Sequence, residues 1–326
     1  TADITPPSGV YMDGYGNRRE PSQGTHDPLF ARIIVLDYGS EGACAFVGCD
    51  LLGTHPDITA AIREQALSRC GIAPGAVLVA ATHNHAGPVG LRAGMFSRFD
   101  ETLAANTVEL ISDALAQAWE SRRPATLKTA VATLDTISAN RRDPALPIDA
   151  GMRLVLLDSD SGPVACLVNV ACHGTVLTGA NLLLSAEFPG VACRIIEQAT
   201  GARAVYLNGA CGDVNPAWIE QDFSSVERLG QIVGGQAVRT IAEMRAAGGG
   251  QRTHNIRWDE FPEVPAPGRV VQPRLRFARR EVDLPLRQFL ADEEYAAEIY
   301  AAKETPARFP DAPPERREAM AHLPRY

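Results

Sequence analysis

Aromatic side chains are scarce here, at 6% of 326 residues, which leaves little for a single-stranded nucleic acid to stack on. A positive excess is also missing. Lysine and arginine number 31 against 39 acidic residues, a net charge of −8, whereas a phosphate backbone calls for a positive field. Nucleic acid is therefore excluded as a partner. No run of about 18 apolar residues occurs, so no transmembrane segment is expected. There is no CxxC pair, no internal repeat and no low-complexity tract. The seven cysteines are odd in number and lie mostly in apolar runs. They read as reduced, buried thiols acting as small hydrophobes, which leans toward a reducing compartment such as the cytoplasm. The sequence begins at Thr1, not Met, which also fits a removed signal peptide or a missing N-terminal segment. No feature sets an oligomeric state.

What is present is ordinary globular material, 45% hydrophobic and 21% charged, enough for one large domain or two small ones. Short apolar runs alternate with helix-length amphipathic segments. Strands are predicted over 31–38, 43–50, 76–82, 125–137, 152–157, 164–172 and 204–208, with residues 39–42 as a turn. Helices are predicted over 56–70, 102–120, 188–198 and 224–247. The alternation implies an α/β fold, mixed β-sheets flanked by helices. Beyond Gly248 the texture changes to a Pro-rich loop, a strand over 275–282 and a charged helix over 288–303. Residues 1–250 are expected to form the core catalytic domain, and 251–326 to continue it.

His83 and His85 are spaced i, i+2 at the end of an apolar strand, where alternate residues share a face, and open α/β sheets bind ligands beyond their strands' carboxyl ends. A pair of exposed loop histidines is the plainer alternative. His173 follows another apolar strand and could equally be a hydrogen-bonded structural residue. The other four histidines fall in loops or near the termini. Asp50, Glu187 and Asp213 are the carboxylates that could orient an imidazole through its second N–H. Glu187 could instead cap a helix, and Asp213 could simply bond its own turn. Arg141, in Asn140-Arg141-Arg142-Asp143, could clamp a carboxylate or polarise a carbonyl, or form a surface ion pair. Zinc suits neutral histidines with oxygen ligands, and would polarise a scissile carbonyl and acidify a bound water. From these residues a strand-end metal site in a zinc hydrolase is one candidate among several.

Eight segments, in order, resemble the neutral/alkaline non-lysosomal ceramidase family. They are Asp3-Ile4-Thr5-Pro6-Pro7 with Gly14-Tyr15, then Gly24-Thr25-His26-Asp27-Pro28-Leu29, Asp50-Leu51-Leu52-Gly53, and Thr82-His83-Asn84-His85-Ala86-Gly87-Pro88. Asn140-Arg141, Cys172-His173-Gly174-Thr175, Ser185-Ala186-Glu187-Phe188-Pro189-Gly190 and Gly212-Asp213-Val214-Asn215-Pro216 follow. Together they span roughly residues 1–220. The resemblance implies that His83 and His173 ligate Zn2+, that His85 faces the substrate carbonyl, and that Arg141 contacts substrate. The family's other two zinc ligands, a glutamate in an L-P-G-E-like motif and a tyrosine, come later in the chain. No such motif lies between residues 248 and 326, so the sequence is expected to stop short of them.

One departure bears on substrate. The family carries a serine in G-D-x-S-P that is needed for activity on ceramide, and Asn215 stands there. An amide is no nucleophile and offers a different hydrogen-bond pattern. The expected function is zinc-dependent hydrolysis of a linear amide in a small-molecule or lipid-like N-acyl substrate, with His85, Arg141 and Asn215 at the reaction and Asp50, Glu187 and Asp213 as supports. The alternatives are hydrolysis of another amide or an ester, and a degenerate ligand-binding domain.

Overall fold

The computed structural model describes residues 1–89, 91, 99–217, 220–246 and 269–271. The first half lays down β1 (Ala2–Asp3), β2 (Gly24–Thr25), β3 (Phe30–Asp37), β4 (Ala43–Cys49), α1 (Pro56–Cys70) and β5 (Val77–Ala81). α1 starts where His55 accepts the amide of Asp57 and Pro56 occupies the first turn, and it stops at Gly71 in the left-handed region, as Pro-in, Gly-out punctuation requires. α2 (Glu101–Glu120) is capped by the Asp100 carboxylate on the Leu103 amide. There follow β6 (Thr126–Thr133), β7 (Ser138–Asn140), β8 (Gly151–Ser159), β9 (Gly162–Val170), β10 (Leu183–Leu184), α3 (Glu187–Thr200), β11 (Arg203–Asn208), β12 (Val214–Pro216), α4 (Phe223–Ala246) and β13 (Arg269–Val271).

Two mixed sheets form the body. One runs β1-β3-β4-β5 and the other β11-β9-β8-β6-β13. β4 and β5 are parallel, as are β9 and β11; the other neighbours within these two sheets are antiparallel. Period-two alternation gives each sheet two apolar faces. Ile34 and Phe46 of the first sheet meet Leu157, Ala165, Val205 and Leu207 of the second, forming the layer between them. Gly48 is there because a Cβ would come within 2.7 Å of the Tyr206 carbonyl oxygen. On the outer faces α1 and α2 cover the first sheet, and α3 and α4 cover the second. The order is helices, sheet, sheet, helices.

The strand predicted over 125–137 is shorter, and a separate three-residue strand follows beyond it. β6 ends at Thr133, and after a turn at Asp135–Thr136 the chain leaves the large sheet so that β7 can pair with β12. The predicted strand 275–282 and helix 288–303 lie outside the described residues. All seven cysteines are free, and six are buried. Among the described residues no helix is long and apolar enough to cross a membrane.

Candidate metal and active site

The site forms where β5 and β9 end, at the same edge of the two stacked sheets. β5 stops at Ala81, so His83 and His85 lie beyond the strand, and shared strand parity is not what brings them together. His83 has φ 61. This left-handed turn redirects the chain so that both imidazoles point inward, at a cost of roughly 1–3 kcal/mol that the surrounding contacts must offset. Asn84, fully buried, supplies several of them. Its amide donates to the Asp50 and Ser185 carbonyls at 3.2 and 2.7 Å, and its Oδ1 accepts the Ala86 amide at 2.7 Å. An isolated parallel bridge joins Asn84 to Gly174, and the His85 amide donates to the Gly174 carbonyl at 3.1 Å. Asn208, at the end of β11, then ties the two histidine loops, donating to the Thr82 carbonyl and accepting the Cys172 amide.

Three imidazoles meet in this junction. Ring centroids are 4.7 Å apart for His83 and His173, 5.0 Å for His83 and His85, and 5.8 Å for His85 and His173. One ring nitrogen from each lies within 4.8 Å of the others, a grouping that could hold a metal ion. His83 Nδ1 lies 2.9 Å from the Leu52 carbonyl and His173 Nδ1 lies 3.2 Å from the Val214 carbonyl. A carbonyl oxygen only accepts, so both N–H groups sit on Nδ1 and both lone pairs on Nε2. That is the tautomer of a metal-ligating histidine held from behind. His85 differs, because neither of its nitrogens makes a hydrogen bond of standard geometry, although both are buried. Burial, with help from the neighbouring His83 and His173, pushes its pKa down to about 3. Burial and then His83 lower that of His173. Both rings are neutral near pH 7, the state a metal ligand needs.

The carboxylates serve other partners. Asp50 accepts from Arg32 at 2.6 Å and from the Phe30 amide. Glu187, fully buried with φ 57, accepts the Val176 and Leu177 amides. Asp213 accepts from the Asn140 side chain at 3.1 Å, and its carbonyl takes the Arg141 amide. The imidazole Nδ1 atoms of His83 and His173 thus rest on carbonyls, where the sequence suggested carboxylates. Arg141 leaves the β7 edge exposed, with its charge felt at His173. Asn215 pairs with Ala139 one residue after Val214, and its Oδ1 is buried without a hydrogen bond.

A family description, the N-terminal domain of neutral/alkaline non-lysosomal ceramidases, matches residues 1–218, two thirds of the chain. The chain belongs to this ceramidase family. Two Arabidopsis thaliana proteins, neutral ceramidase 2 and neutral ceramidase 1, are 27% and 26% identical to it over 220 and 221 residues. These alignments take in 60% of this chain but only 29% and 28% of those proteins, so the chain spans under a third of their length. The solved neutral ceramidase of Pseudomonas aeruginosa superposes with a TM-score of 0.66 at 22% identity, covering 73% of this chain and 43% of that one. At that identity the likeness speaks for the fold.

Several segments shared with the ceramidase family prove to be scaffolding. Asp27 accepts from the Ser185 hydroxyl and the Ala186 amide, and His26 stacks on Phe223 at 3.7 Å. The Asp27 bonds fasten the start of α3, and the His26 stack fastens the start of α4. Sequence reading missed Asn84, Asn208 and Arg18. The buried Asn84, framed by two histidines, was the readable signal; Asn208 and Arg18 become visible only when three loops are brought together.

Proposed function

We propose that this chain carries the histidine half of the active site of a zinc-dependent hydrolase that cleaves the amide of an N-acyl, ceramide-like substrate. The observation that carries it is the pair His83 and His173, each presenting Nε2 with Nδ1–H on a carbonyl, beside a third neutral imidazole. Family membership and relatives named neutral ceramidases support the substrate class.

His83 and His173 would hold the ion, leaving coordination positions for other ligands and for water or substrate. When bound, zinc supplies Lewis acidity toward a carbonyl and an acidified water. The protein's own part follows from its groups. His85, neutral, offers one N–H to the oxygen on which charge develops, a contribution that preorganised donors make large. Arg141 adds positive charge on the same side. Asn215 Oδ1 offers an acceptor to a substrate N–H or O–H. Asp50, Glu187 and Asp213 support the loops.

A second reading, hydrolysis of a different amide or an ester, is favoured by Asn215 standing where the family motif has serine. The test is zinc content by inductively coupled plasma mass spectrometry, with turnover of a panel of N-acyl amides and esters. The expected result is about one zinc per chain, lost together with turnover in His83→Ala and His173→Ala. A zinc-free wild type, or His83→Ala with normal turnover, would overturn the proposal.

A further inference from the structure

Arg18 has an environment unusual for a guanidinium. It is 9% exposed, and its hydrogen bonds run to backbone carbonyls: Nη1 to Asp13 at 2.7 Å and His85 at 3.1 Å, Nη2 to Thr178 at 3.5 Å. These three carbonyls belong to three different segments, the N-terminal loop, the His83–His85 loop and the loop after His173. Its Nε is buried without a partner. The guanidinium also lies 5.1 Å from the centre of the Tyr15 ring, a cation–π distance. Tyr15 in turn donates its hydroxyl to the Leu177 carbonyl and meets His85 edge-on at 5.2 Å.

His85 is the histidine that needs such help. His83 and His173 are anchored through Nδ1 on well-formed carbonyl contacts, whereas the His85 ring depends on the N-terminal loop: the Gly14 backbone, a weak polar contact pressed against it, and Tyr15 at its edge. Backbone pairing fastens residues 11–13 to residues 87–89, and Arg18 adds the hydrogen bond to the His85 carbonyl itself. A fork of fixed N–H groups can reach several carbonyls at once, while a lysine ammonium is a point donor.

We propose that Arg18 is a positioning residue for His85, binding three loop carbonyls so that the imidazole stays turned toward His83 and His173. The catalytic consequence rests on the hydrolase reading above; the placement of the ring does not.

Two variants test it, Arg18→Met, which keeps the stem, and Arg18→Lys, which keeps the charge and should fold even where the first does not. Each is studied with [15N]histidine-labelled protein by imidazole NMR, without metal and with zinc alone. The expected result is displaced or doubled His85 resonances with those of His83 and His173 in place, and zinc stoichiometry unchanged. On an N-acyl substrate kcat should fall on the order of 10-fold or more with KM little changed, as a misplaced group loses orientation. Folded Arg18→Lys with the wild-type His85 spectrum would overturn the proposal. If wild type turns over no N-acyl substrate, the hydrolase reading fails, and the NMR comparison still decides the role of Arg18.

Discussion

A Cβ added to Gly14 would lie 2.6 Å from Cγ and Nδ1 of the His85 imidazole. The N-terminal loop is pressed against the ring as closely as a backbone can be, and Gly14 (φ 97) also holds a conformation that side chains rarely adopt. Gly14→Ala should therefore lose stability twice over, about 1 kcal/mol from the positive φ and roughly 1–3 kcal/mol from overlap. Turnover should fall as His85 is pushed aside. Gly9 is the control: its φ is 95 but nothing lies within 4 Å of an added Cβ. Thermal unfolding and turnover of both variants separate strain from contact. Equal effects at Gly9 and Gly14 would show that the His85 contact contributes nothing.

Asp50 and Arg32 form an ion pair at 2.6 Å with side chains 1% and 8% exposed. Leaving either charge buried without its partner costs on the order of 3–5 kcal/mol. Asp50→Asn and Arg32→Met should each destabilise by about that much, and Arg32→Met with Asp50→Leu should recover most of it. Zinc binding should survive in Asp50→Asn, because Asn84 is held by the Asp50 main-chain carbonyl and the carboxylate reaches no imidazole Nδ1. Urea unfolding gives the first result and metal analysis the second. Loss of zinc from a folded Asp50→Asn protein would return Asp50 to a role at the metal.

These two cases mark how far the sequence could be read. Helix α1 was legible to the residue because Pro56 and Gly71 punctuate it, and β4 because its apolar run ends at Asp50. The histidines were legible as a group, and the structure gathers all three. The reason offered for His83 and His85, shared strand parity, does not hold, since the left-handed φ of His83 is a tertiary compromise that no periodicity reports. Asp50 looked like an imidazole orienter because both sit at strand ends; its partner Arg32 lies on the neighbouring strand β3, and only the pairing of β3 with β4 brings them together. Short strands such as β7 and β12, three residues each, are set by their partner and carry almost no local signal.

Glu187 gives a pH dependence with a definite sign. Burial lifts its carboxyl from the ordinary 4.5 to about 7, against the Leu177 and Val176 amides that favour the charged form. Between those values the native state holds the proton and the unfolded chain has released it. The stability this group contributes is therefore fully present below about pH 4.5 and is lost as pH rises through about 7, roughly 3 kcal/mol in all. His85 and His173 have depressed values and tilt the profile the other way, so only a difference is informative. Glu187→Gln should be less stable at low pH, where an amide N–H would face a backbone N–H, and the gap to wild type should narrow as pH climbs from 4.5 to 7. Parallel profiles over that window, from denaturant unfolding at several pH values, would show that Glu187 is ionised throughout.

Asn215 supplies the most direct test of substrate. It follows Val214, whose carbonyl receives both the backbone amide and Nδ1 of His173, so it lies beside the proposed metal ligand. A buried acceptor left unpaired costs roughly 1–3 kcal/mol, and a substrate bringing an N–H or O–H to Oδ1 would recover that. Serine, the family residue here, both donates and accepts, whereas Oδ1 can only accept. Asn215→Leu should then lower kcat/KM about 10-fold for an N-acyl aminoethanol, by loss of one such bond, and much less for the matching N-acyl ethylamine, which lacks the hydroxyl. Asn215→Ser should move preference toward ceramide itself. The paired design matters because a variant that merely loosens β12 would depress both substrates alike. Only a loss confined to the hydroxyl-bearing compound places the substrate's donor at Asn215, and equal losses on both would assign the orphaned oxygen a purely structural part.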